Sequence, residues 1–265
     1  MVAVKSKRNI FEKANTRMEA PQFCFLKMNR LDFRKMISAI FTENEVMLIM
    51  TAYDYSKAAH RTQSRQEFGP DAPDNKKRYF NHPKHLAIQM IKDGVKDAKT
   101  VCEAFLHDCP EDTAIFGNQL TEGYEIAMKD AFFRLSKSFD PEVATDVILL
   151  TLPLPNPAIK MFASKNQCLE FYKTRLSDPE TSKRVLLVKL YDRLHNMDTI
   201  EVKSLQTALL KIKETEEFYI PLFIKRFLDD KSPLSLIGTG KLVELIDLVL
   251  RKKNQIELTY NANKS

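Results

Sequence analysis

Two pairs of residues with the chemistry of metal ligands and acid–base catalysts lie close together in this sequence. His107 and Asp108 form the first pair, Glu111 and Asp112 form the second, and Pro110 separates them. Adjacent helical residues point about 100° apart, so both members of the first pair can reach one ion beside a helix end. We expect Pro110 to stop that helix and to let the second pair turn back. A histidine–aspartate dipeptide also occurs without function, so a site here needs partners from elsewhere in the chain.

Two further groups can supply those partners. His82 precedes Pro83, which suits the first turn of a helix, so its imidazole is either a ligand at the helix edge or a helix cap. Asp192 and Asn196 are spaced i,i+4 and share one face with Lys189 in a helical stretch, 185–200, that carries apolar residues on all sides, and such a pattern predicts a polar cleft inside the protein. Mixed imidazole and carboxylate ligands suit Mn(II), Fe(II) or Zn(II), and the lack of thiolates favours an open hydrolytic site over a structural zinc site.

The composition predicts an all-α protein. The chain has 265 residues with only 6 glycines and no tryptophan, and its Leu, Lys, Glu, Ala and Met residues occur in runs too long for strands. No alternating β pattern competes with these runs. The length suits one large domain with appendages.

The helix that leads into the first pair has two possible starts. Asp97 can cap it, or Thr100 can cap it with Glu103 completing a capping box. Either start places His107 at the C-terminal end of a rigid element, as a metal site requires. Further along, three prolines in residues 151–157 exclude regular structure, so this loop is either a pocket rim or a surface excursion.

Charge and cysteine usage restrict the class of protein and of ligand. The net charge of +6 suits an anionic ligand but does not require nucleic acid. No secretory signal is apparent and no CxxC spacing occurs, so reduced thiols in a cytoplasmic protein are expected for Cys24, Cys102, Cys109 and Cys168. The most apolar stretch, 234–250, contains three charged residues, so no membrane partner is expected. Nothing indicates an oligomeric state.

Four motifs follow one another along the chain: His60-Arg61-x-Gln63-x-Arg65, Arg78-Tyr79-Phe80-Asn81-His82-Pro83, Ala104-Phe105-Leu106-His107-Asp108-x-x-Glu111-Asp112-Thr113 and Val188-Lys189-Leu190-Tyr191-Asp192-Arg193-Leu194-His195-Asn196-Met197. Together they resemble the HD-type hydrolase domain of the RelA/SpoT alarmone enzymes, over about residues 52–223. No synthetase segment follows them, so the resemblance is to a small alarmone hydrolase or a hydrolase-only RelA/SpoT fragment. It implies an HD-domain helical bundle (51–228) with an N-terminal, partly helical extension (1–50) and a C-terminal helix and tail (229–265).

The resemblance also implies a reaction and a set of roles. The reaction is hydrolysis of the 3′-pyrophosphate of (p)ppGpp to GDP or GTP and pyrophosphate, with Mn(II) or another divalent transition metal as cofactor. Glu111 and Asp112 would serve the attacking water, and Arg65 would contact the guanine base. Four residues would bind the metal, namely His82, His107, Asp108 and Asp192. Three would hold the nucleotide and its phosphates, namely Lys189, Arg193 and Asn196.

The chain departs from the RelA/SpoT pattern at three places near the expected site, and one of them is Tyr191, which stands where a small residue is usual. Leu152 stands where family members commonly carry lysine, and Lys137, Lys160 or Lys165 can supply the missing cation. A segment of the chain, about 114–138, is added after the Glu-Asp pair. Two alternatives to the implied activity therefore stay open: an HD-type phosphohydrolase that acts on another nucleotide, such as a nucleoside phosphate or NADPH, and a catalytically weak nucleotide-binding regulatory module.

Overall fold

The computed structural model describes residues 28–64 and 78–262, and regular structure in these ranges is helical, without a β-strand. The prediction of an all-α fold is confirmed. The helices are α1 (Arg30–Ser38), α2 (Glu43–Ala59), α3 (Asn81–Lys92), α4 (Ala98–Leu106), α5 (Cys109–Asp112), α6 (Gln119–Glu122), α7 (Tyr124–Ser138), α8 (Pro141–Leu150), α9 (Lys165–Ser177), α10 (Lys183–Asp198), α11 (Leu205–Glu214), α12 (Ile220–Phe227) and α13 (Pro233–Ala262).

Helix α4, which leads to the first polar pair, starts at the earlier of its two possible caps. The Asp97 carboxylate accepts hydrogen bonds from the Thr100 amide (3.2 Å) and the Thr100 hydroxyl (2.5 Å). The capping box predicted for Thr100 and Glu103 is wrong. Because the helix begins three residues earlier, Glu103 falls in its interior, where it is fully buried and its Oε1 lies 3.0 Å from Arg184 Nε.

Pro110 begins a helical turn instead of ending a helix. Helix α4 stops at Leu106, with His107 as its C-cap, and Pro110 is the second residue of the short helix α5. Proline is tolerated in a first turn because its missing N–H has no intrahelical acceptor there. The prediction that Pro110 stops the helix is therefore wrong, but His107 and Asp108 do lie at the junction of two helices.

Helix α10 crosses the interior of the bundle. Its aliphatic residues Val185, Leu187 and Leu190 are fully buried, as the apolar pattern predicted. It packs against α3 and α4 on the site side and along α13 on another. Apolar burial of this kind is the main source of stability for such a helix, and it fixes where the polar residues of α10 lie.

The added segment 114–138 folds into α6 and α7, and α7 packs against both α6 and α8. Gly123 separates the two helices with φ +79°, a backbone conformation that favours glycine. The loop 151–157 that follows α8 has no regular structure, as its prolines predicted. The added segment is thus an ordered part of the bundle near this loop.

Both ends of the described chain are helical. Helix α2 runs across residue 50, where the domain boundary was predicted, and α13 extends from Pro233 to Ala262. In the part of the chain that the structure describes, no helix is both long enough and apolar enough to span a bilayer.

Candidate metal centre

Three of the four expected metal ligands meet where α3 approaches the α4–α5 junction. One ligand atom each from His82, His107 and Asp108 lies within 4.8 Å of the other two. Asp108 Oδ2 is 3.1 Å from His107 Nε2 and 3.6 Å from His82 Nε2. These three residues are called the histidine–aspartate cluster below. Two imidazoles and a carboxylate in this arrangement can hold a divalent metal ion.

Asp192 on α10 lies beside this cluster but is shared among several partners. Its Oδ1 is 3.3 Å from His82 Nε2 and accepts a 2.6 Å hydrogen bond from Asn196 Nδ2. Its Oδ2 is 2.9 Å from Lys189 Nζ and 3.6 Å from Arg193 Nη2. Although burial acts in the opposite direction, the Lys189 ammonium holds the pKa of Asp192 well below its usual range. The three residues expected to hold the nucleotide thus contact this carboxylate.

The protonation of His107 tests whether the cluster fits a metal ion. Its Nδ1 lies 2.9 Å from the Ala104 carbonyl oxygen, which can only accept, so Nδ1 carries a proton and Nε2 is the ring atom left for a cation. That Nε2 is buried, and no well-directed hydrogen bond reaches it. Although burial disfavours the charged ring, the carboxylates of Asp108 and Asp192 raise the pKa of His107 to about 9, so without a metal ion Nε2 also holds a proton near neutral pH. A buried nitrogen that attracts a cation in this way, beside two carboxylates, suits a metal ion in place of that proton, so the residues present fit the metal.

His82 is oriented by a second histidine from α10. The His82 Nε2 faces the two carboxylates, whereas its Nδ1 lies 3.1 Å from His195 Nδ1. One of the two Nδ1 atoms must donate in this hydrogen bond, and a metal-binding Nε2 on His82 requires that its Nδ1 be the donor. His195 would therefore select the tautomer of His82 that can bind a metal.

Replacement of His195 by alanine is expected to lower the affinity of the protein for Mn(II) by about 10–100-fold, the usual effect of removing a partner of a metal-bound histidine. Titration calorimetry with Mn(II) measures the change. His85→Ala is the matched control, because the His85 ring contacts His195, with ring centroids 4.9 Å apart, but is not in the cluster. Equal affinities for wild type and His195→Ala would contradict the assignment.

A cavity of about 440 Å³ opens beside the cluster and brings the second polar pair to it. Its volume lies in the range of small-ligand pockets. The Glu111 side chain is half-buried, and Asp112 is exposed. The cavity is lined by Ser64, Tyr79, His82, Asp108, Glu111, Asp112, Lys189, Asp192, Arg193, Asn196 and Lys203.

Glu111 has the properties of an acid–base catalyst. Its Oε2 accepts a 2.9 Å hydrogen bond from the backbone N–H of Leu152. Burial and the nearby charge of Asp108 raise the pKa of Glu111 to about 7, against the opposing effect of Lys189. A carboxyl group that titrates near neutral pH can both accept and return a proton during a reaction.

Two residues of the first sequence motif, His60 and Gln63, contact groups that position the site. The His60 ring stacks on Tyr79 with centroids 4.6 Å apart, and Tyr79 donates a 2.8 Å hydrogen bond to Asp108 Oδ2. Gln63 joins His60 Nδ1 (2.5 Å) to the Asp112 carbonyl oxygen (2.5 Å). The motif therefore orients Asp108 and the α5 turn. The predicted guanine contact, Arg65, lies outside the described residues.

The cavity contains one cation that sequence reasoning missed. Lys203 is exposed in the loop after α10, and among the described residues it forms no ion pair. Of the three substitutes proposed for the absent lysine at position 152, Lys137 lies over the Phe133 ring (4.1 Å) and neither it nor Lys165 lines the cavity. Nothing is described of the Lys160 side chain. No local pattern marks Lys203, because its position depends on where the chain leaves α10.

Comparison with known proteins connects this geometry to named enzymes. The chain is 31% identical over 175 residues to a "GTP pyrophosphokinase rsh" of Brucella melitensis, which is 66% of this chain and 20% of the relative. It is 29% identical over 193 residues to a "Probable guanosine-3′,5′-bis(diphosphate) 3′-pyrophosphohydrolase" of Mycoplasma pneumoniae, which is 71% of this chain and 23% of the relative. A protein of Aquifex aeolicus with the same name, without "Probable", is 28% identical over 174 residues, 66% of this chain and 21% of the relative.

These relatives are much longer than the matched segment. The chain spans about a fifth of the length of the curated relatives that it matches. No protein-family model matches the chain.

Proposed function

Because this chain belongs to the RelA/SpoT family, we propose that it hydrolyses the 3′-pyrophosphate of (p)ppGpp to GDP or GTP and pyrophosphate, with Mn(II) as cofactor. One observation carries the proposal: the unsatisfied Nε2 of His107 lies in a cluster with His82 and Asp108, beside a cavity that Glu111 also lines. The names of the relatives supply the substrate.

The residues around the cavity divide into metal ligands and groups that act on water. His82, His107, Asp108 and Asp192 would hold the ion, which when bound supplies Lewis acidity and lowers the pKa of nearby water. Glu111, with one oxygen held by a backbone amide, takes a proton from the attacking water, and Asp112 orients that water. The water oxygen forms a bond to the phosphorus that is attached to the ribose 3′ oxygen. The bond between that phosphorus and the 3′ oxygen breaks, and Glu111 returns its proton to the departing 3′ oxygen.

The lysine and arginine side chains that line the cavity suggest how the negative charge of the substrate phosphates is balanced. Lys189 and Arg193 are buried and contact Asp192, and Arg193 also lies over the Tyr219 ring (4.5 Å). They balance the charge of Asp192, a proposed metal ligand, and form part of the cavity wall, where Asn196 also lies. Lys203 is the exposed cation on the same cavity, and we assign it to the substrate phosphates. Arg65 remains our proposed contact to the guanine base.

The direct test is to incubate purified protein with ppGpp and Mn(II), Mg(II), Zn(II) or no metal, and to resolve the nucleotide products. Release of pyrophosphate and GDP, fastest with Mn(II), supports the proposal in full. The same products with another ion support the reaction but not the metal. A protein that turns over no ppGpp with any of the ions contradicts the proposed reaction.

A second candidate function keeps the cluster and changes the substrate. Leu152 stands where the RelA/SpoT pattern has lysine, which favours a phosphohydrolase that acts on another nucleotide, such as a nucleoside phosphate or NADPH. Turnover of one of these compounds without turnover of ppGpp would support it. Binding of ppGpp without turnover of any nucleotide would support a regulatory module.

Replacement of Lys203 by methionine is expected to raise the KM for ppGpp by about tenfold, with little change in kcat, because one exposed charge-assisted hydrogen bond contributes about 1.5 kcal/mol at the low end of its range. Lys203→Arg should retain a KM near that of wild type. Steady-state kinetics at low salt measures both. Lys213→Met is the control, because Lys213 is exposed on α11 and pairs with Glu217, which lies after that helix. An unchanged KM in Lys203→Met would remove this residue from the substrate site.

The cysteines that the structure describes indicate whether the protein works in a reducing compartment. Cys102, Cys109 and Cys168 are buried and free of disulfides. Unpaired thiols are typical of reducing compartments. We therefore place the proposed reaction in the cytoplasm.

A further inference from the structure

Gln119 is a buried amide side chain that has no part in the proposed reaction steps. It begins α6, in the segment added after the Glu-Asp pair, and is only 4% exposed. Its Nε2 donates to the carbonyl oxygens of Pro110 (3.3 Å) and Leu152 (3.4 Å), and its Oε1 accepts from the Leu154 amide (2.9 Å). One side chain therefore ties the α5 turn, which carries Glu111, to the loop that follows α8.

That loop in turn holds Glu111 by its backbone. The Leu152 N–H donates to Glu111 Oε2 at 2.9 Å, which leaves Oε1 for the cavity that Glu111 lines. Because the donor is a main-chain group, the contact does not depend on the side chain at position 152. The position where the family pattern has lysine thus supplies an amide to the carboxylate.

A second clamp fixes the start of the same loop. Arg175 on α9 donates to the carbonyl oxygens of Thr151 (2.7 Å) and Ile148 (3.3 Å). The same guanidinium donates to the hydroxyl of Tyr124, which belongs to α7 of the added segment. The loop is therefore held by the added segment both directly, through Gln119, and by way of Arg175.

We propose that Gln119 and the Leu152 amide form a positioning relay through which the added segment sets the orientation of the Glu111 carboxylate. The inference rests on the proposed hydrolysis, in which Glu111 is the base. Proton transfer requires the base within hydrogen-bond reach of the water, and a misplacement of about 1 Å can cost about 100-fold in rate. The added segment is then a brace for the catalytic turn and not a separate binding element.

Two independent substitutions interrupt the relay. Gln119→Ala removes the amide side chain, and Leu152→Pro removes the N–H that Glu111 accepts. Each is expected to lower kcat for ppGpp by about 10–100-fold while KM and the affinity for Mn(II) stay near wild type. Leu152→Ala keeps the donor, so its kcat should exceed that of Leu152→Pro at least tenfold. Thr121→Ala, an exposed change on α6, is the control for α6.

A variant protein without the Glu111 carboxylate distinguishes an effect on the orientation of that carboxylate from a general loss of structure. In a Glu111→Ala protein nothing remains to be positioned, so Gln119→Ala should not lower kcat further. If both single variants keep wild-type kcat, or if Gln119→Ala lowers kcat equally in the Glu111→Ala background, the relay is wrong. Equal kcat values for Leu152→Ala and Leu152→Pro would also overturn it.

Hydrogen exchange tests the relay without using the reaction. The Leu152 amide should be protected in the wild type and should exchange faster in Gln119→Ala and in Glu111→Ala. An unprotected amide in the wild type, or unchanged protection in both variants, overturns the relay. If the wild type turns over no ppGpp, the proposed function fails, and the exchange result alone then decides whether the relay exists.

Discussion

Replacement of Asp108 by asparagine is expected to abolish hydrolysis of ppGpp, with a loss of about 10³-fold or more. The carboxylate lies 3.1 Å from His107 Nε2 and 3.6 Å from His82 Nε2, so its charge is central to any cation held there. Asparagine keeps the size of the side chain and removes the charge. A metal ion supplies several kcal/mol of transition-state stabilisation, and each 1.36 kcal/mol corresponds to about tenfold in rate.

Thermal unfolding tests whether Asp108→Asn loses the metal ion, without an activity assay. Mn(II) at about 100 times its Kd should stabilise the wild type by about 2.7 kcal/mol, or roughly 5–10 °C in Tm. Asp108→Asn should lose this shift. Asp130→Asn is the matched control, because Asp130 is a partly exposed partner of Arg134 on α7. A full Mn(II) shift in Asp108→Asn would show that the cluster is not the metal site.

Replacement of Glu111 by glutamine is expected to lower kcat by about 10²–10⁴-fold, the usual contribution of a general base. The affinity for Mn(II) should stay near wild type, because Glu111 is not one of the cluster residues. Glutamine can still accept the hydrogen bond from the Leu152 amide, so the loop after α8 should keep its position. Glu180→Gln, an exposed substitution, is the control. A Glu111→Gln protein with wild-type kcat would exclude Glu111 as the base.

The pH dependence of the wild-type rate should also show the ionisation of Glu111. Burial and the Asp108 charge raise the pKa of Glu111 to about 7, and only the deprotonated form can accept a proton. The rate should therefore rise with pH on the acid side of the profile. A bound cation offsets the Asp108 charge, so the loaded enzyme should show this limb at or below about pH 7. The limb should be absent in Glu111→Gln, and an identical limb in both proteins would assign it to another group.

The sequence by itself determined the features that depend on neighbouring residues. The all-α fold and the place of His107 at the end of α4 follow from helix propensity and capping, whereas capping alone left two possible starts for α4, at Asp97 and at Thr100. His107 and Asp108 are adjacent in the chain, so their proximity required no knowledge of the fold. Pro110 was read incorrectly because a proline can either end one helix or begin the next.

Contacts between distant parts of the chain were decided only by the tertiary structure. His195 lies beside His82 across 113 residues, and the Leu152 amide reaches Glu111 across 41 residues. Lys203 enters the cavity only because α10 ends where it does. Such contacts depend on how the buried faces of α3, α4, α8 and α10 pack, to within about an ångström, and hydrogen bonds are lost over that distance. Residue types and local spacing therefore predicted the candidate ligands, whereas core packing decided which groups orient them and which backbone amide holds Glu111.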